Sequence, residues 1–268
     1  MSRFLSVSKP VKGYKLVFYD DFKNGVDWTK WSYLYPGDQD NKGVLIYRKE
    51  CVVKKDYGLC LIATTGVTES GSRSGLTSDF VGLLSSHKFL VFKYGIVDIV
   101  AKMPPKGFTY FPALWLYDPT GWLPEIDMVE LIGKSYSDPY TSSAYGSFTH
   151  LWSNDGTYQP EKYYYPNPSN PNHQIYCDAG GICKEFNWFV NMGFDLSTGF
   201  HTYSIKWSPT ELIWYIDKRE VFRALTKIPQ KEQHLVLNIA SAENTYIFKP
   251  SEIPQEMVIK SISIYQNF

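Results

Sequence analysis

The sequence predicts an all-β protein: a β-jelly-roll sandwich of two antiparallel sheets, laid out as a single domain over residues 1–268. Three observations predict it. Short apolar runs with period-two alternation recur along the chain, with turn signals about every ten residues. No stretch of useful length carries the 3.6-residue period of an amphipathic helix. No internal repeat or linker divides the chain, and its length suits one large β domain. In a jelly roll one sheet can curve into a concave groove, across which an extended polymer can lie.

The elements follow in order. Residues 1–14 read as an arm, and KLVFYDDF (15–22) as a strand ending in acids. VDWTKWSYL gives a turn and a short strand, and YPGDQDNKG a loop. VLIYRKECVV (44–53) and GLCLIAT (58–64) are expected to pair as a hairpin across KKDY. The Ser/Gly/Thr-rich VTESGSRSGLTSDFVG is expected to be a surface loop. HKFLVFKYGIVDIVAKMP (87–104) reads as one long strand broken at Gly95, with Val97, Ile99, Ala101 and Met103 on one face and Asp98 and Lys102 on the other. Residues 110–132 read as two strands flanking a turn around Asp118 to Pro124. Residues 134–195 are loop-rich, with one strand expected at SSAYGSFTHLW. FHTYSIKWS alternates cleanly, ELIWYID-KR-EVFRAL is a hairpin, and HLVLNIAS and MVIKSISIYQ are late strands. SEIPQEM reads as a single helical turn.

Composition narrows the function. Net charge is zero, and no run has the Lys/Arg density of a nucleic-acid surface. No segment is long and apolar enough to span a membrane, and MSRFLSVSKPVKGYKL lacks the apolar core of a signal peptide. Aromatic residues make up 17% of the chain, with 21 Tyr and 8 Trp. Rings with a polar atom suit the stacking of neutral sugars, and they are equally good strand residues. The four cysteines, Cys51, Cys60, Cys177 and Cys183, lack metal-site spacing and are expected to be free thiols, although Cys177 and Cys183 lie close enough to close a small ring.

The stretch PEIDMVE (124–130) carries three carboxylates in an otherwise apolar run. Alternation puts Glu125 and Asp127 on one face and drives Glu130 toward the core. One extra residue, a β-bulge near Met128 or Val129, returns Glu130 to the acidic face, with Ile126 and one of Met128 or Val129 packed behind. Such a row fits a solvent-facing strand edge, an oxygen-ligand calcium site, or glycoside hydrolysis. In a retaining glycosidase one carboxylate attacks the anomeric carbon while a second, about 5–5.5 Å away, protonates the leaving oxygen.

Several motifs, in order, resemble glycoside hydrolase family 16. LVFYDDF with VDWTKW, FKYGIVDIVAKMP, FPALWLY, FHTYSIKWSPTELIWYID, HLVLNIA and VIKSISIYQ are similar to that family's strands. EIDMVE is similar to the bulged E-x-D-x-x-E form of its laminarinase-like and agarase-like members. The resemblance implies Glu125 as nucleophile, Glu130 as general acid/base and Asp127 as assisting acid, with no cofactor. It implies sugar contacts at Trp115, Trp122, His150 and Arg48.

Two departures matter. Cys51 stands where many members have a sugar-contacting Asn. Lys260 stands where many have an Asp that helps hold calcium, so no metal is expected, and Lys260 is expected to pair with Asp20 or Asp21. The implied activity is endo-acting retaining hydrolysis of a β-linked polysaccharide, with a β-1,3-glucan first and a β-galactan second. The alternative is a non-catalytic carbohydrate-binding protein on the same sandwich. A monomer is expected. The substrate class implies an extracellular or periplasmic location.

Overall fold

Among the described residues the period-two runs become fourteen strands in two sheets. The structure is a computed structural model that describes residues 12–35, 45–65, 79–105, 110–121, 124–130, 196–225, 228–241 and 254–267. The larger sheet has ten strands: β1 (Lys15–Asp20), β2 (Leu45–Tyr47), β3 (Val52–Lys55), β4 (Gly58–Thr65), β5 (Asp79–Val81), β7 (Gly95–Lys102), β10 (His201–Trp207), β11 (Leu212–Ile216), β12 (Arg219–Ala224) and β14 (Gln255–Gln266). Its order is β12-β11-β10-β7-β14-β4-β5-β2, with β1 beside the second half of β14 and β3 beside β4. The smaller sheet is β6-β13-β8-β9, from β6 (Leu83–Ser85), β13 (His234–Ser241), β8 (Tyr110–Tyr117) and β9 (Glu125–Glu130). All pairings are antiparallel except β2 with β5.

The core lies between the sheets and is built by the predicted alternation. Val97, Ile99 and Ala101 of β7 point inward beside Tyr203 and Ile205 of β10, in register as Tyr203 with Ile99 and Ile205 with Val97. From the smaller sheet come Leu114, Leu116, Ile126, Val129, Leu235, Leu237 and Ile239. Each such aliphatic side chain contributes roughly 1.5–3 kcal/mol by leaving water. The chain passes from one sheet to the other at Gly82. Its N–H donates to Ile62 of β4, and its carbonyl accepts from Ile239 of β13. A Cβ there would lie 2.5 Å from the Cys51 carbonyl oxygen, so the crossing is built for glycine. Asp217 and Lys218 both take positive φ, 49° and 69°, in the two-residue turn that joins β11 to β12.

Four local expectations change. Residues 44–53 do not form one hairpin arm: Arg48 donates its N–H to Val81, Cys51 closes a 3-10 turn onto Arg48, and β2 runs alongside β5. Asp79–Val81, expected as loop, is strand β5. Residues 87–94 are not strand, because Phe89 and Leu90 both donate to the Ser86 carbonyl and form a turn whose apolar side chains pack on the core. Gln255–Met257 open strand β14 rather than a helical turn. The strand expected at 142–152 and the loop at 134–195 lie outside the described residues, as do Cys177 and Cys183. Cys51 and Cys60 are free and buried, and burial pushes both thiols up to about 11.

Gly95 starts β7 with φ +138°, and a Cβ there would sit 2.4 Å from the Tyr265 carbonyl oxygen of β14. Gly95→Ala is expected to cost about 2 kcal/mol or more. Gly121→Ala, with nothing within 4 Å, should cost little. Urea unfolding of both variants checks this through the shift in midpoint at constant slope.

Candidate active site

The site is made by one irregularity in the pairing of β8 with β9. Tyr117 pairs with Glu125, Leu116 with Ile126 and Trp115 with Asp127. The register then shifts, so that Leu114 pairs with Val129 and Ala113 with Glu130. Met128 is therefore the extra residue of a β-bulge. Paired residues share a sheet face, so Glu125, Asp127 and Glu130 fall in one row with Tyr117, Trp115 and Ala113. Ile126 and Val129 point into the sandwich, and Met128 joins them there, so both candidates for the backing position serve it.

The bulge has a partner in the opposite sheet. Trp214 of β11 is 1% exposed, and its Nε1 donates to the Asp127 carbonyl oxygen at 2.7 Å. The start of β9 is held as well. The Pro124 carbonyl accepts from the Asp118 backbone N–H at 3.2 Å and from Gln233 Nε2 at 3.0 Å. Asp118 accepts from Thr120 and pairs with Lys231 at 3.0 Å. Burial works against the Asp118 carboxylate, but those bonds outweigh it and hold its pKa below the usual value.

Aromatic rings flank the acids. Trp115 and Tyr117 stack at 4.9 Å and 18°, and Trp115 Nε1 donates to Asn238 Oδ1 at 2.7 Å. Tyr35 packs against Trp115, Tyr117 and Tyr47, and its hydroxyl lies 3.1 Å from that of Tyr47. A bridge between Ser32 and Ser85 ties the Tyr35 segment to β6. Burial first, then Tyr47, then the charges of Tyr117 and Glu125, push the Tyr35 phenol well above its ordinary pKa. It therefore stays a neutral donor. The three acids are 9%, 1% and 8% exposed, so water contributes little to screening them from one another.

The structure brings Glu125, Asp127, Glu130 and Trp115 together as expected. Arg48 follows β2 at the end nearest Tyr47, and its guanidinium sits 4.9 Å from the Phe80 ring centroid. Trp122 and His150 lie outside the described residues. Tyr35, Tyr47, Tyr117, His234 and Asn238 were not singled out from sequence. Tyr117, His234 and Asn238 had a signal, since alternation from Trp115 and along HLVLNIAS puts all three on the acid face. Lys260 does not pair with Asp20 or Asp21. Its ammonium lies 5.8 Å from the Phe200 ring centroid, while Asp20 accepts from Phe22 N and Trp31 Nε1 and Asp21 from Lys23 N. Among the described residues no three His, Cys, Asp or Glu form a metal-holding group, and no helix is long and apolar enough to cross a membrane.

The two sheets define a jelly-roll sandwich. The laminarinase catalytic domain from Thermotoga maritima aligns with a TM-score of 0.67 at 19% identity, covering 96% of this chain and 100% of that one. The family model "Glycosyl hydrolases family 16" matches residues 172–247. A xylanase/β-glucanase of Ruminococcus flavefaciens is 33% identical over 86 residues, 27% of this chain and 11% of that protein. An endo-1,3-1,4-β-glycanase of Rhizobium meliloti is 25% identical over 164 residues, 59% of this chain and 27% of that protein. The chain thus spans between 11% and 27% of the length of these curated relatives.

His234 generates a pH prediction. It is fully buried, 4.1 Å from the Tyr117 ring and 5.8 Å from the His87 ring. Burial, then the charge of His87, lower its pKa from 6.5 to about 4. The unfolded chain therefore takes up this proton near 6.5 and the folded chain only near 4. Stability is full above pH 7 and falls as pH drops through that window, by about 3 kcal/mol from this group. Thermal melts from pH 7.5 to 4.5 should show a steeper loss in the wild type than in His234→Gln. His87, whose pKa burial and Lys88 also depress, leaves a residual slope in the variant.

Proposed function

We propose that this chain is an endo-acting, retaining β-glycoside hydrolase and that its substrate is a β-1,3-glucan. The observation that carries the reading is the bulge at Met128, which aligns Glu125, Asp127 and Glu130 on one aromatic-flanked face. The Glu125 carboxylate attacks C1 of the sugar as Glu130 gives its proton to the departing glycosidic oxygen, leaving a glycosyl ester on Glu125. Glu130, now a carboxylate, takes a proton from water. The resulting hydroxide displaces Glu125, so two inversions restore the β configuration. Asp127 between them disfavours ionisation of its neighbour and keeps the acid protonated. Trp115 and Tyr117 offer stacked faces to sugar C–H surfaces, and Trp122, His150 and Arg48 complete the sugar contacts. The likeness of EIDMVE to the bulged form of laminarinase-like and agarase-like members supports a β-1,3-glucan first and a β-galactan second.

A reducing-end assay over β-glucans and β-galactans, with product anomers followed by NMR, tests this. The β-anomer should appear first on a β-1,3-glucan, and an initial α-anomer rules out double displacement. Glu125→Gln should lose turnover and keep polysaccharide binding. Glu130→Gln should lose about 10²–10⁴-fold, and less on an aryl glycoside whose leaving group needs no proton. A wild type that binds polysaccharide but turns over none of the panel identifies a carbohydrate-binding protein instead.

A further inference from the structure

We infer that Trp214 is a positioning residue for the acid row: its indole N–H holds the bulge that brings Glu130 onto the same face as Glu125. The inference rests on the hydrolase reading for its kinetic arm and on geometry alone for its spectroscopic arm.

In a regular strand the carbonyls lie in the plane of the sheet and pair with the neighbouring strand. The Asp127 carbonyl accepts from a side chain of the opposite layer at 2.7 Å. That is possible only where the backbone turns out of the sheet toward the core, and Asp127 immediately precedes the extra residue Met128. The donor is fixed on its own side. Trp214 sits in the middle of β11, paired with Ile205 and Phe222, and belongs to the core cluster with Ile126, Met128 and Val129. Removing the N–H leaves a buried carbonyl without this bond and removes the reason for the backbone to stay turned. Relaxation toward regular pairing carries Glu130 toward the interior and away from Glu125. Glu125 is held separately, from the Pro124 end.

The molecule supplies its own control. Trp207 of β10 is equally buried, and its Nε1 donates to the Pro229 carbonyl oxygen at 3.1 Å. Its ring meets Tyr94 and Phe92, and its N–H bond ends on Pro229 rather than on β9. Trp214→Phe and Trp207→Phe each remove one indole-to-carbonyl bond from the core, and only the first touches the bulge.

The experiment compares the two variants with wild type on a β-1,3-glucan at a temperature well below every Tm, and follows the Glu130 carboxyl by ¹³C NMR. Trp214→Phe should lower kcat by on the order of tenfold to a hundredfold with KM unchanged and shift the Glu130 carboxyl signal. Trp207→Phe should lower Tm comparably and do neither. Trp214→His, which keeps a ring N–H, should recover part of kcat. If Trp214→Phe does not fold, 3-benzothienylalanine placed at 214 or at 207, which removes the N–H and keeps the ring shape, makes the same comparison. A kcat and a Glu130 signal that respond alike in the two positions overturn the inference. A wild type inactive on every substrate sinks the hydrolase reading instead, and the Glu130 signal then decides the role of Trp214.

Discussion

A strand reverses side-chain direction at every residue, and this site asks it not to. Glu125 and Asp127 obey the alternation, but Glu130 must break it, since an odd number of steps separates it from both partners in register. The structure solves this with one inserted residue, Met128, opposite no partner on β8. The insertion turns a backbone carbonyl into an apolar core, where an unmade hydrogen bond costs about 1–3 kcal/mol. The Trp214 indole removes that penalty. Core packing and site geometry therefore meet in one bond.

The outer face of the smaller sheet is unusual for the same reason. A sandwich sheet normally turns polar residues to water on that side. Here Leu83, Tyr117 and Val236 form a second buried cluster, with Tyr35, Tyr47 and Trp115 packed on it. This second core removes solvent from beside the acids, and two like charges about 4 Å apart then repel by about 4 kcal/mol at an effective dielectric of 20. Two groups on this face, the Tyr35 phenol and the His234 ring, are driven to their uncharged forms by burial.

What the sequence made legible was direction, and what it hid was partnership. Alternation grouped Val97, Ile99, Ala101 and Met103 on one face, and all four are buried in the core; the misfit of Glu130 to alternation located the bulge within one residue. The run at 87–94 looked like strand because it is apolar, yet its Phe and Leu side chains fill the core from a turn. Residues 44–53 looked like one arm, yet the 3-10 turn at Lys49–Cys51 splits it. Each is a case where burial sets the composition and backbone bonding sets the structure. Trp214 and Asp127 are 87 residues apart, and no local pattern reports a bond of that span. Tyr35 lies in a segment with no period at all. The Ser32–Ser85 bridge ties its segment to β6, and its ring packs on Trp115 and Tyr117.

The acid row is held at two points of different character. Its start is fixed by polar contacts from the turn, with Gln233 and Asp118 on Pro124 and Lys231 on Asp118 at the surface. Its middle is fixed from inside the sandwich. The first point sets where β9 begins, and hence where Glu125 stands. The second sets how far the strand departs from regularity before Glu130. Separation between the two glutamates is therefore a difference between two anchors, one solvent-side and one core-side. Loosening either changes that separation without removing a carboxylate. Aliphatic substitutions around Trp214 thus act on the acids at a distance, through a strand whose irregularity exists only while the opposite sheet holds it.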